Sequence, residues 1–428
     1  MDTSQDMLNL DQKYKHHPMA VRYDYFISTV IMLSLLLCGL YGYIAVLIFL
    51  MAGLFHSVFR LRYTLAAIQQ CYPLFLFSLI AILSTLWSDF PMMSLKRGIQ
   101  MFLTTLICVS LLYSVKKEVI VSTLTISLIL VILWALSSDK TVVISYTGEV
   151  IRIGHFGSKN SMSAFAAFSA IVGISTWLMD SIPKPIKMLG AICAALSILV
   201  FYFAKSLGTN LTFFIMLAIS ITLYIYSNRN FSIINRSTLN SLLIGYFLLF
   251  TVTIYSTFDF NYYENLMVSI GKDPTITGRT IIWQIGFYSI EDNPIFGVGY
   301  DAYWNEYNSG ALEIWERMHK EVGDPFGFHN TYINYYVELG ILGLLSILMV
   351  LLSCIKHSYQ RVTHGMDPFD IAVFMLLLFY LSKSFFETSG FAPFSINHFS
   401  ICLIWVTLNR KTFFDCGKKT IIVFEGKE

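Results

Sequence analysis

The chain has 428 residues, 56% of them hydrophobic and 13% charged, with a mean hydropathy of +0.63. Soluble chains run at roughly 45–50% apolar and about 25% charged, so too few polar residues are present to cover a globule in water, and a soluble enzyme is excluded. The 29 Lys and Arg against 27 Asp and Glu leave +2, too little and too evenly balanced to hold nucleic acid by neutralising phosphates.

The N-terminus is polar as far as His17, and no small-residue cleavage site follows the first apolar stretch. No removable signal peptide is expected. Apolar runs bounded by charge, Gly or Pro then predict twelve membrane-spanning helices, at 25–38, 41–59, 68–87, 97–115, 118–136, 161–179, 186–204, 207–226, 239–258, 329–355, 369–387 and 393–409. The expected fold is an all-α integral membrane bundle, a single polytopic domain over 1–428. The run from Tyr25 to Phe59 is 35 residues long, more than one crossing of a ~30 Å core needs, and Gly39 and Gly42 offer the turn that divides it.

With the N-terminus cytoplasmic, 18 of the 29 cations fall on inner segments, 10 on outer ones, and Lys383 inside a span. The positive-inside rule then places both termini in the cytoplasm, with 410–428 as a basic cytoplasmic tail. One outer segment, Asp259 to Phe328, has 70 residues and is read as a large periplasmic loop with short helices between spans nine and ten. Within it Gly278 precedes RTIIWQIGFYSI, a predicted helix ended by Asn293-Pro294, and the stretch that follows interleaves acids with Tyr303, Trp304, Tyr307 and Trp315. The seven cysteines show no CxxC-type spacing, so no disulfide or metal framework is implied.

Three outer segments combine cations with hydroxyl or amide groups: Lys96-Arg97, the RIGHFGSKNS stretch from Arg152 to Ser161 with Lys159 and Asn160, and Lys205-Ser206 with Thr209; Arg279 is a fourth outer cation. Such charges suit a phosphate-bearing lipid head, and they equally suit helix-end snorkelling. Asn330, Asn334 and Glu338 form a polar stripe at helical spacing, which either lines a cavity or bonds between helices. His329, just before it, reads by position alone as an interfacial residue or a proton acceptor. Lys383 and Glu387 are spaced as a mutually neutralising structural pair on one helix, and GVG at 297–299 is a turn.

HNTYINYYVELGILG, residues 329–343, resembles the signature of the O-antigen ligase and Wzy-type polymerase superfamily: His, then Asn, Ser or Gln, nine residues, Gly, two residues, and Gly, Thr or Tyr. His329, Asn330, Gly340 and Gly343 satisfy every position. The family's Arg-x-x-x-Leu element is matched at Arg279, with Trp283 in place of the Leu, and NPIFGVG at 293–299 looks like its Asn-Pro-x-x-Gly-x-Gly turn. LWSDFPMMSLKRG at 86–98 and GHFGSKNSMSAF at 154–165 look most like the exopolysaccharide-polymerase branch.

The resemblance implies a GT-C-like bundle at the periplasmic face of the bacterial inner membrane, transferring glycans from undecaprenyl-pyrophosphate donors. The acceptor would be a lipid-linked repeat for a polymerase or lipid A core for a ligase, with membrane lipid and a chain-length regulator protein as further partners, and no cofactor and no metal. His329 and Arg279 are the implied catalytic pair, one taking the acceptor proton and the other neutralising pyrophosphate. Arg97, Arg152, Lys159, Asn160, Lys205 and Asn330 are the implied substrate-binding residues. Glu338 cannot orient His329, since nine residues of helix separate them by about 13 Å, and the sequence names no other acid for the task. A transporter is the rival from another class, disfavoured because twelve-span transporters are typically built from similar halves, whereas here the long loop falls after span nine.

Overall fold

The computed structural model describes residues 18–143, 150–228, 276–362 and 367–409, together with 241 and 245. Apart from 241 and 245, the predicted ninth span lies outside the described residues, as do residues 259–275 of the outer segment and the basic tail.

The first apolar run folds as a hairpin. Helix α1 (Pro18–Tyr41) turns at Gly42, whose φ of 55° lies in the left-handed region that glycine enters without a Cβ penalty, and returns as α2 (Tyr43–Phe59). Polar pairs fasten the open end: Arg60 Nη2 lies 2.8 Å from Asp24 Oδ1, the two side chains being 5% and 9% exposed. Beside them Tyr23 Oη is 3.1 Å from His56 Nδ1.

The third predicted span is broken. After α2 the chain bends by 97° into α3 (Leu61–Gln70) and resumes only at α4 (Tyr72–Leu83), where Pro73 suits a first turn whose N–H groups have no helical partner. Then come α5 (Pro91–Ser114) and α6 (Lys117–Leu136), and a two-stranded antiparallel ribbon of β1 (Thr141–Val143) and β2 (Val150–Arg152). The ribbon departs from the all-α expectation: its β-branched residues favour extended backbone, and the run is too short to be read as a strand by period.

Helices α7 (Lys159–Leu178) and α8 (Lys184–Ala204) cross at two glycines. A Cβ on Gly173 would stand 2.7 Å from the Gly190 carbonyl oxygen, and one on Gly190 2.7 Å from that of Gly173. Small residues let these backbones approach closely. The chain continues through α9 (Leu207–Asn228), α10 (Ile276–Asp292), α11 (Ser309–Arg317), α12 (Thr331–Val362), α13 (Pro368–Ser384) and α14 (Ile396–Asn409).

Among the described residues six helices are long and apolar enough to cross a membrane, namely α1, α5, α6, α7, α8 and α12, or seven if α2 and α3 count as one bent span. Every predicted span except the ninth overlaps helical structure, the third divided between α3 and α4 and several shorter than a full crossing. The molecule is thus a mostly helical membrane protein. Its main core joins α1–α9 to α12–α14, while a second cluster, including Trp283, Tyr303, Trp315 and Phe328, packs α10 and α11 under the first turns of α12.

Candidate active site

The site is assembled where α12 begins. Asn330 is its N-cap: Oδ1 accepts from the backbone N–H groups of Tyr332 at 3.0 Å and Ile333 at 3.1 Å. The other end of that side chain donates to the Phe385 carbonyl at 3.2 Å. Thr331 Oγ1 donates to the Glu387 carbonyl at 2.9 Å and accepts from Ser389 N–H at 3.1 Å. The residues after His329 therefore latch the 385–389 segment, which follows the end of α13, against the start of α12.

That latch delivers Glu387. Helix α13 ends at Ser384, so Glu387 stands in the turn beyond it. One carboxylate oxygen, Oε2, lies 3.2 Å from His329 Nδ1. The other, Oε1, accepts from Asn160 Nδ2 at 2.9 Å and from Arg279 Nη2 at 3.3 Å. Asn160 is held in turn by Ser206 Oγ, which donates to its Oδ1 at 2.9 Å. Burial alone would push the Glu387 carboxyl up, but the hydrogen bond from His329 and the charges of Arg279 and Lys383 outweigh it and hold it at about 2. His329 and Arg279 remain partly open to water, their side chains 35% and 22% exposed.

Two further details fix His329. Its backbone is left-handed, with φ of 49°, a conformation costly for a non-glycine residue and found where the surroundings over-determine it. Trp283 supplies part of that constraint, its Nε1–H donating to the Phe328 carbonyl at 2.8 Å, immediately before the histidine. The indole at the position of the motif's leucine thus anchors the backbone next to His329, and the Phe326 ring meets the imidazole edge-on at 5.5 Å.

The segment after α10 braces the same helix. Gly340 sits at φ 61° and ψ −160° inside α12, a region essentially closed to other residues, and a Cβ there would stand 2.1 Å from the Ile295 carbonyl oxygen. The carbonyls released by this kink are taken up by Val298 N–H on Val337 at 3.0 Å and Gly299 N–H on Glu338 at 2.8 Å, while Ile341 N–H donates to Pro294 at 3.0 Å. Asn-Pro-Ile-Phe-Gly-Val-Gly and the spacing from His329 to Gly340 are two halves of one interlock. Residues 192–348 match the family model described as O-antigen ligase.

The chain resembles the O-antigen ligase family over that stretch.

It is 26% identical over 360 residues to the exopolysaccharide production protein ExoQ of Rhizobium meliloti (strain 1021), covering 81% of this chain and 77% of that protein. An uncharacterized protein of Haemophilus influenzae is 24% identical over 119 residues, 28% of this chain and 29% of that one. These matches bear out the resemblance to the O-antigen ligase and Wzy-type superfamily and to its exopolysaccharide-polymerase branch.

Of the residues singled out in the sequence, the structure brings Arg279, His329 and Asn160 onto one carboxylate, with Lys159 beside Asn160 at the start of α7 and Lys205 beside Ser206 at the end of α8. Asn330 is adjacent, with its side chain spent on capping. Arg97 is drawn elsewhere, its Nε 2.6 Å from Asp301 Oδ2. Arg152 binds the end of α6, donating to the carbonyls of Leu136 at 2.7 Å and Ser138 at 2.8 Å and pairing with Asp139 at 2.9 Å. The polar stripe bonds within itself, Asn334 Nδ2 donating to Glu338 Oε1 at 3.1 Å.

Glu387 is the residue that sequence reasoning missed as an acid for His329. It lies outside the O-antigen ligase match, and its spacing from Lys383 looked like an intrahelical pair. The signal available was an ionisable pair within an apolar run, which in a membrane protein marks a site.

Proposed function

We propose that the chain is a membrane glycosyltransferase that polymerises undecaprenyl-pyrophosphate-linked oligosaccharide repeats at the periplasmic face of the bacterial inner membrane. The convergence of His329 and Arg279 on Glu387 is the observation that supports it most. Transfer breaks the bond from the donor's anomeric carbon to pyrophosphate and forms one to an acceptor hydroxyl. Pyrophosphate is already a fair leaving group, so the protein must chiefly take a proton and neutralise the charge that develops. His329 does the first and Arg279 the second.

The setting favours an anion. Asn330 caps the start of α12, Ser158 caps α7 two residues before Asn160, and the Ser206 carbonyl accepts the first bond of α9, so the positive ends of three helices gather here, with Lys159 and Lys205 next to them in sequence. These groups supply the neutralisation that other transferases draw from a divalent cation, so transfer is metal-independent. Among rival readings, similarity to an exopolysaccharide production protein along most of the chain favours polymerase over ligation to lipid A core.

The deciding experiment gives purified protein lipid-linked repeats as donor and acceptor, in EDTA and without lipid A core. A ladder of lengthening products is expected. Product only when lipid A core is added would establish the ligase instead, and a strict need for added Mg²⁺ or Mn²⁺ would refute metal independence.

The proposed orientation has its own check. Glu306 and Gln360 are both exposed and fall on opposite sides in the charge-based topology. In a cysteine-free background, an impermeant thiol reagent added to intact spheroplasts should label Glu306→Cys and spare Gln360→Cys. The opposite pattern would invert the topology.

A further inference from the structure

Glu387 has no assigned role, yet its carboxylate meets His329, Arg279 and Asn160 at once. We propose that Glu387 is the positioning residue for His329: by accepting a hydrogen bond from Nδ1–H on Oε2 it fixes the imidazole with its Nε2 lone pair free for the acceptor hydroxyl. This rests on the glycosyl-transfer reading above and deepens it.

The geometry carries the argument. An imidazole can present either nitrogen, and which one bears the proton is set by the partner of the other. Here that partner is a carboxylate oxygen at 3.2 Å, which can only accept. The carboxylate is itself immobilised: its backbone carbonyl is held by Thr331 at 2.9 Å, and Oε1 by Asn160 at 2.9 Å. In the step, the acceptor O–H proton goes to Nε2, its oxygen forms the new bond to the anomeric carbon, and the bond to pyrophosphate breaks with its electron pair leaving on the phosphate oxygen. The resulting imidazolium is stabilised by Glu387, which stays ionised and takes no proton.

The same carboxylate parks Arg279 at 3.3 Å on Oε1. A pyrophosphate that draws Arg279 away leaves Glu387 still balanced by Lys383, whose charge faces it from α13. From the other packed elements, Lys159 precedes Asn160 on α7, Lys205 precedes Ser206 at the end of α8, and Tyr332 on α12 accepts from Ser384 Oγ at 2.9 Å.

The test compares wild type, His329→Ala, Glu387→Gln and Glu387→Asp in the polymer assay across pH 5–8, with folding followed by size-exclusion chromatography. Glu387→Gln should lower kcat by about 10–100-fold, the range seen when carboxylates behind metal-bound histidines are removed, without raising KM for the donor, because Arg279 is freed rather than lost. Its acid limb should move to lower pH, since an imidazole without its carboxylate is less basic. Glu387→Asp keeps the charge and should keep the acid limb near that of wild type, with kcat between the two. A merely structural role would change the yield of folded protein and leave the acid limb in place. An inactive His329→Ala combined with an unshifted acid limb in Glu387→Gln would overturn the positioning role alone. Near-normal turnover by His329→Ala would overturn the general-base reading and this proposal together. If Glu387→Gln fails to fold, Glu387→Asp decides: an acid limb displaced despite the retained carboxylate would refute the assignment.

Discussion

His329→Ala is expected to lose roughly 10²–10⁴-fold in polymer formation, the range of a general base, while the protein still inserts and elutes as wild type. The imidazole is partly open to water and bonds through its side chain to Glu387, whereas the local fold is carried by neighbours: Asn330 caps the helix, Thr331 ties the 385–389 segment, and Trp283 holds the Phe328 carbonyl. His329→Gln separates two roles. A glutamine reproduces hydrogen bonds but accepts no proton at neutral pH, so it should be as inactive as alanine if His329 is a base and retain much of the rate if it only positions. Wild-type turnover should fall toward the acid end of a pH 5–8 series, because a general base acts only in its unprotonated form. Glu387, held at about 2, stays ionised throughout that window and cannot account for the fall. A flat profile would remove the base.

Arg279→Ala is expected to cost about 10²–10³-fold in kcat, comparable to deleting a donor aimed at developing charge. The structure places Arg279 on α10, half-buried against Glu387, rather than on an open loop. Removing it leaves the carboxylate bonded to His329 and Asn160 and facing Lys383, so no buried charge is stranded and folding should survive. Arg279→Lys should recover only part of the rate, because an ammonium keeps the charge but loses the planar fork that grips two phosphate oxygens. The measurement is initial polymerisation rate per mole of purified, monodisperse protein. An Arg279→Ala rate within threefold of wild type would remove it from the reaction.

Much of the helical layout was legible because an apolar run about 20 residues long has few alternatives in a bilayer. The turn at Gly42 was legible for the same reason, since 35 residues exceed one crossing. What hydropathy does not encode is direction: after Phe59 the chain bends by 97° into α3, and only packing reveals its course. The site was half legible. His329 and Arg279 stood out through motif spacing, and Asn160 through an outer polar cluster. Arg97 and Arg152 stood out equally, yet their charges are engaged by Asp301 and by the end of α6, partners that charge counting along the chain cannot supply. Glu387 was hidden by the assumption that its helix continued; with α13 ending at Ser384, the carboxylate reaches His329 as well as facing Lys383.

The interlock between the 293–299 turn and the kink at Gly340 has a consequence for how such an enzyme diversifies. It ties the helix bearing Arg279 to the helix led by His329 through three backbone hydrogen bonds, none of which depends on side-chain identity beyond the glycines and the proline. Residues 301–326, which lie between the turn and His329, need not supply that registration through their own backbone, and the positions among them outside the packing of Tyr303, Trp315 and Phe326 have latitude to change while the two helices stay joined.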